Sequence, residues 1–510
     1  MSTLPPSRSL TFSTSLLIAA KTLAFASTVA IPLLLVRSMP QHEFGLYKQI
    51  FLVVNSAVSM LPVGFGMTAF YFLPREQSAR NQTVFNIVAF TSAVAVLFAI
   101  VVSAFPVLLA LLFNEPAAAE FAPAIAVMVG LWVVGSFLEI VTLANQDVKI
   151  ATVVIVATQV TRGAFFLVAA LVGGTVWALV AAAIVHGILQ VAALMLYLNN
   201  RFRGFWRAYD GSYLRRQLGY ALPFGAAGLL FSLQTDLHNY FVSQRFGPST
   251  YAVYAIGCFQ LPLFGILAES VGSMMIPRIS SLQYAQQTRE IVLLTARAMR
   301  KLAAVYFPAY AFMLVMRREM IVALFTSRYL ESVPVFAINL TLIPLGVLIL
   351  DPIMRAYAEH RHFLVKLHGA MLIGVLLGLW LAIPRFGLIG AIAVVVIGNY
   401  VGRFATLVKV VRILGVRPHD AMLVADVGKL GAASAVAGAA TALARSSTAG
   451  LHPFTTLVLC GLVFGFAFVI AVVAFGIVTP EERALIRDHL WRATSRLWPG
   501  LMRTPSLVRE

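Results

Sequence analysis

The sequence predicts an all-α polytopic membrane protein of about fourteen transmembrane helices, built as two pseudo-symmetric six-helix bundles followed by a C-terminal helix pair. Three observations carry this. The 510 residues are 60% hydrophobic and 11% charged, with a mean hydropathy of +0.88, whereas soluble domains carry about 25% charged residues. The apolar residues gather into runs long enough to cross a bilayer. Lysine and arginine alternate in density between successive gaps.

A crossing helix needs about 20 apolar residues. Such runs occupy 14–36, 44–72, 84–112, 122–144, 148–171, 176–198, 218–244, 248–275, 302–325, 333–354, 364–384, 387–408, 425–443 and 452–477. The second run contains "LPVGFG", where Pro62, Gly64 and Gly66 predict a kink. With both termini placed in the cytoplasm, inner segments hold 27 Lys/Arg and outer segments 8, while Lys21, Arg162 and Arg403 lie within spans. The bias follows the positive-inside rule. Its weakest point is Arg317 and Arg318 of "MRRE", which fall outside and predict a shortened or interrupted ninth helix.

These runs divide the chain into a first bundle (1–200), a cytoplasmic linker (201–217), a second bundle (218–411), a helix pair (412–478) and a cytoplasmic tail (479–510). The tail opens with a capping box, Thr479 at N-cap, Pro480 at N1 and Glu482 at N3. Ile486, Leu490, Ala493 and Leu497 form an apolar stripe with arginines elsewhere, which predicts a helix lying on the membrane surface.

The net charge of +18 belongs to cytoplasmic loops facing anionic headgroups. Membrane lipids, and not nucleic acid, are therefore the expected partners. Cys258 and Cys460 both sit in apolar runs, so no disulfide framework is expected. The N-terminal "MSTLPPSRSLTFSTSLL" leads into a full-length span without a small-residue cleavage site. No GxxxxGK[ST] phosphate loop occurs.

The two bundles repeat in the same sense. "LANQDVK" (143–149) precedes "GGTVWALVAAAIVHG" (173–187), as "RAYAEHR" (355–361) precedes "FGLIGAIAVVVIGNY" (386–400). Asp147 to Gly174 and His360 to Gly387 are each 27 positions. Six helices per repeat give parallel halves with a substrate path between them.

"EFGLYKQIF" (43–51), "TDLHNYFVSQRFGPSTYAVYAIGCF" (235–259), "MIPRIS" (275–280) and "PRFGLIGAIAVVVIGNY" (384–400) carry a resemblance to a known family. In these stretches and in its layout the chain resembles the lipid-linked oligosaccharide (O-antigen and exopolysaccharide repeat-unit) flippases of the multidrug/oligosaccharidyl-lipid/polysaccharide exporter superfamily. The resemblance implies a carrier in the bacterial inner membrane, not an enzyme, that turns an undecaprenyl-pyrophosphate-linked sugar unit across the bilayer by alternating access. It implies polysaccharide assembly proteins as partners, needs no cofactor, and allows a coupling ion. Pro248-Ser249, where most relatives have glycine, and the Arg-rich tail depart from the family pattern. A cation-coupled drug exporter of the same superfamily is one alternative, although those exporters have twelve helices. A membrane polysaccharide polymerase or ligase is another, although the outer loops here are short.

Charges inside the spans mark the candidate site. A carboxylate in mid-bilayer costs roughly 2.5–3.5 kcal/mol on insertion scales, yet Asp236 and His238 sit mid-span in "GLLFSLQTDLHNYFVSQRF" (228–246). Ser232, Asp236, Asn239 and Ser243 share one helix face, with Gln234, His238 and Arg245 roughly opposite. Two polar sides require enclosure by protein or a wet cavity, so Asp236 is either part of a structural hydrogen-bond network or a substrate- or ion-coupling group. Lys21 lies about 10 Å deep at about 1.5 Å per residue and Glu269 at about 9 Å. A Lys21–Glu269 gating pair, a Lys21 that binds pyrophosphate, and plain structural pairing all fit that depth. The same arithmetic separates Glu139 from Arg162, at about 7 and 21 Å. Arg162, with Thr158 and Gln159 nearby, is a cavity candidate. Arg403, about 12 Å from the inner face, is within snorkelling reach. His360, His362 and His368 beside Glu359 lack a supporting ligand pair for a metal, and read as a loop near lipid phosphates.

Overall fold

The computed structural model describes residues 29–448 and 450–477, all in helices and connecting turns. Lys21, the start of the first run and the amphipathic tail lie outside the described residues. The first half contains α1 (Val29–Ser38), α2 (Gln41–Met60), α3 (Ala69–Arg75), α4 (Arg80–Ala104), α5 (Val107–Phe113), α6 (Ala117–Glu120), α7 (Ala122–Gly135), α8 (Phe137–Ala144), α9 (Val148–Val168) and α10 (Val176–Arg201). The second half contains α11 (Gly211–Gly257), α12 (Pro262–Tyr284), α13 (Thr288–Val315), α14 (Arg317–Phe325), α15 (Val333–Leu340), α16 (Leu342–Leu345), α17 (Asp351–Ala356) and α18 (Arg361–Leu414). The last pair is α19 (Ala425–Ser447) and α20 (Pro453–Ala474).

Among the described residues nine helices are long and apolar enough to cross a membrane, and the bent pair Gly228–Gly257 and Pro262–Tyr284, at 52°, adds a tenth. One of the nine, His362–Leu414, contains two predicted runs and folds back at Gly387 (φ 56, ψ −136). Gly378 lies against Val394 and Gly398 against Met371, as an antiparallel hairpin requires. The run at 333–354 is present as the broken helices α15 and α16, and of the run at 14–36 only the end is described, as α1, so the architecture is compatible with fourteen. The kink expected at "LPVGFG" separates α2 from α3, with Val63 at φ 46 and Gly64 at φ 67. The ninth helix ends at Val315, and "MRRE" opens the short α14. The two glycines aligned by the internal repeat, Gly174 and Gly387, both take positive φ; each sits where one span turns into the next.

Outward-facing side chains such as Leu97, Ile100, Val172 and Trp380 are more than half exposed. They form the apolar belt that a bilayer requires of a helical protein. Asp210 caps α11: its Oδ1 accepts the Ser212 hydroxyl at 2.7 Å and the N–H groups of Ser212 and Tyr213 at 2.9 and 3.1 Å. Those bonds, the Ser212 hydroxyl foremost, hold its carboxyl below the usual range.

The spine of the molecule is the antiparallel pair α2 and α11. A methyl group on Gly45 would stand 1.9 Å from the carbonyl oxygen of Pro248, and one on Gly225 1.9 Å from that of Val63. Glycine is needed at both, because the backbones touch; small residues allow this approach in membrane helices. Between these contacts Gln49 Nε2 donates to Ser243 Oγ at 2.7 Å, and Ser56 Oγ donates to Asp236 Oδ2 at 2.8 Å.

Among the described residues the largest core shared by the two halves lies at one end, where Leu35, Phe44 and Ile50 pack with Ala252, Phe325 and Phe336. Toward the other end the described residues form two further cores, largely one from each half. Phe65, Leu138 and Leu198 belong to one, joined by the start of α11 through Ala221. Met275, Leu302 and Ile353 belong to the other. The shared end is clasped by Arg37, which donates to Ala323 O at 2.8 Å and Leu324 O at 2.7 Å. These are carbonyls of the last turn of α14, which have no partner within their own helix. Tyr329 meets Phe44 edge-on at 6.0 Å.

Candidate functional site

A cavity of about 360 Å³ lies between α1, α2 and α9 of the first half and Tyr251 of the second. Its polar lining is Tyr47, Lys48, Asn55, Gln159, Arg162 and Tyr251. Among the described residues no Asp or Glu lines it. The two cations are held by aromatic faces: Arg162 Cζ stands 4.9 Å over the Trp132 ring, and Lys48 Nζ 5.5 and 5.8 Å from the rings of Phe44 and Tyr47. Quadrupole attraction steadies each cation without neutralising it, so the cavity keeps its positive charge.

Local sequence explains the placement. On α2, Lys48, Phe51, Leu52 and Asn55 are spaced by three or four and so share one face. On α9, Gln159, Arg162, Gly163 and Phe166 repeat the pattern. Phe51 and Phe166 meet edge-on at 5.5 Å, joining the two helices beneath the cations. Arg162 was foreseen as a cavity residue. Lys48 was not, because it was counted with the outer loop; its position inside the predicted 44–72 run was the available signal.

Asp236 is half-buried and faces α2 through Ser56, the neighbour of cavity-lining Asn55. His238, on the other side of α11, is buried, and its Nδ1 hydrogen-bonds the Tyr254 hydroxyl at 2.7 Å. At Asp236 and His238 both polar sides expected of this helix meet protein, while Arg245 is exposed. Glu269 is exposed on α12, and its expected partner Lys21 lies outside the described residues.

Arg403 has a carboxylate neighbour that sequence reasoning missed: its Nη1 lies 3.4 Å from Asp351 Oδ2 at the start of α17. Snorkelling alone therefore does not account for it. His368 hydrogen-bonds Gln234 Oε1 at 3.2 Å and meets Phe231 edge-on at 5.8 Å. Asp351 and His368 stand in different spans, so only tertiary structure brings them near Arg403. The structure places Arg162 and Lys48 on one cavity; it does not bring Asp236, His238 or Arg403 onto that cavity's lining.

The profile of a family described as "Polysaccharide biosynthesis protein" matches residues 34–334. No curated protein sequence matches. Among solved structures, one described as "Lipid II flippase MurJ, inward closed conformation" is 14% identical with a TM-score of 0.71, covering 92% of this chain and 99% of that one. An inward-facing multidrug resistance MATE family transporter of the MOP superfamily is 14% identical with a TM-score of 0.61, covering 77% of this chain and 94% of its own. An outward-facing structure with the same description is 15% identical with a TM-score of 0.54, covering 79% and 94%. The fold is that of these multi-pass membrane proteins.

Proposed function

From the premise that this chain belongs to the polysaccharide biosynthesis protein family, we propose that it is a flippase. It translocates undecaprenyl-pyrophosphate-linked oligosaccharide units across the bacterial inner membrane by alternating access. The observation that carries the proposal is the cavity, lined by no carboxylate among the described residues, that holds Lys48 and Arg162 between aromatic walls. A pyrophosphate presents clustered anionic oxygens to two desolvated cations, while Tyr47 and Tyr251 offer faces and hydroxyls to the sugar. The polyprenyl tail stays among lipid acyl chains.

The core shared at one end, read as the outer one, and the two cores toward the other end support an inward-facing state, entered from the cytoplasm, with both termini on that side. The better match to the inward-facing than to the outward-facing transporter agrees. The first bundle, 1–200, supplies the cations, and the second, 218–411, closes over them. Asp236, held between α2 and α11, is the group whose charge would bias the two states. Translocation requires only differential binding to those states, so no residue need be catalytic. Polysaccharide assembly proteins would take up the product.

The test is leaflet position. On depletion of the protein, lipid-linked sugar units should remain on the cytoplasmic leaflet while the surface polymer disappears. Normal arrival of the units at the outer leaflet, with only their polymerisation blocked, would point to an enzyme and end this reading.

A further inference from the structure

A second basic cleft, of about 360 Å³, opens at the predicted cytoplasmic end of the first half. It lies between the start of α4 and the end of α10, and its polar lining is Gln77, Ser78, Arg80, Asn81, Gln82 and Arg201. The cleft is built and not merely exposed. Arg80 donates to Asn145 Oδ1 and stacks 5.0 Å over the Phe202 ring. Asn145 and Tyr197 in turn bond Asp147 Oδ2 at 2.8 and 2.7 Å, and Arg201 Nε lies 3.2 Å from the same oxygen.

The charge balance leaves the cleft positive. Asp147 is shared by Arg201, Asn145 and Tyr197. Glu76 is engaged by Arg216, and Asp210 caps α11. Half the Arg201 side chain is exposed, which leaves it free to donate to a further group. Beside the cleft Trp206 and Tyr209 are 52% and 68% exposed, flanked by Arg203 and Arg207. Exposed Trp and Tyr mark the headgroup level, and basic pockets on the cytoplasmic side receive anionic headgroups.

We propose that this cleft binds the phosphate of an anionic phospholipid headgroup, at a site separate from the transport cavity. Arg80 and Arg201 are its ligands, and Trp206 and Tyr209 hold the cleft at headgroup depth. The phosphate oxygens accept from the two guanidinium groups, and the acyl chains lie against the outside of the first bundle.

The experiment titrates purified full-length protein with short-chain phosphatidylglycerol, phosphatidylcholine or inorganic phosphate, following tryptophan fluorescence and thermal unfolding. It reads binding and not transport, so its failure is distinct from failure of the flippase reading. Phosphatidylglycerol should bind saturably and raise the Tm, phosphatidylcholine and inorganic phosphate should not, and Arg201→Gln should weaken phosphatidylglycerol binding about tenfold, the loss of one charge-assisted hydrogen bond. Arg80→Gln should do the same, and Arg201→Lys should recover part of the affinity. A variant with Arg203→Gln and Arg207→Gln, both outside the cleft lining, controls for diffuse surface charge and should bind nearly as the wild type does. Equal stabilisation by inorganic phosphate would assign the cleft to a free anion and overturn the lipid assignment. An unchanged affinity in Arg201→Gln, or an equal loss in the Arg203/Arg207 double variant, would overturn the site itself.

Discussion

Replacing Arg37 by glutamine should release the two halves from each other at the end where they share a core. Its guanidinium spans them with two bonds, to Ala323 O and Leu324 O, and makes a third to Leu33 O of its own helix at 2.6 Å. Only the two crossing bonds are lost on outward opening, since the third lies within α1. Hydrogen bonds to charged groups contribute about 1.5–3 kcal/mol each, but Arg37 is exposed, and solvent screening reduces that to about 1 kcal/mol. Two such bonds therefore bias closure by about 2 kcal/mol, close to a 30-fold change in the ratio of closed to open states. Spin labels at Ser38 and Ser327, exposed on opposite halves near the clasp, read this by pulsed dipolar spectroscopy. Cys258 and Cys460 would first be replaced by serine. Arg37→Gln should add a longer-distance population, and Arg37→Lys, which keeps the charge without the forked geometry, should fall between. A distance distribution unchanged in folded Arg37→Gln would refute the clasp.

Three further outcomes follow from the packing. Gly45→Ala forces a methyl group into the Pro248 carbonyl, a backbone atom that cannot rotate away, so the variant should lose about 1–3 kcal/mol, the usual cost of overpacking, seen as a lower Tm in detergent. Arg445→Gln strips Glu319 of its partner at 2.8 Å, leaving a mostly buried carboxylate whose other oxygen has no hydrogen-bond partner among the described residues. A destabilisation of about 1–3 kcal/mol is expected, and thermal unfolding should show α19 loosening from α14. Asp236→Asn keeps an acceptor for Ser56 and removes only the charge, so folding should survive while transport falls; full transport activity would leave the carboxylate a structural acceptor.

The helices were legible because hydropathy needs no tertiary information: composition, run length and the Lys/Arg bias each point to the same spans. The kink at Pro62 and Gly64 and the break near "MRRE" were readable for the same local reason. What failed was anything that depends on which face meets which neighbour. Hydropathy placed the boundary between the runs 364–384 and 387–408, but that Gly387 turns the chain back at positive φ was invisible to it. Lys48 was lost because a loop count treats a charge near a span end as solvated, whereas the aromatic faces of Phe44 and Tyr47 hold it inside. Asp351 was missed beside Arg403 because their 52-residue separation carries no periodic signal. Asp236 was readable as a carboxylate that needs protein or a wet cavity around it, but only the structure shows that Ser56 meets it.

Lys48 and Arg162 carry the central claim, and affinity tests it most directly. Purified full-length protein should be titrated with a short-chain polyprenyl pyrophosphate-linked sugar and with the same sugar on an uncharged lipid, for the wild type and for the variant carrying Lys48→Gln and Arg162→Gln. Loss of two charge-assisted contacts of about 1.5–3 kcal/mol each predicts at least a hundredfold weaker binding of the pyrophosphate ligand, with little change for the uncharged one. Equal affinity of the wild type and the double variant for the pyrophosphate ligand would contradict the account.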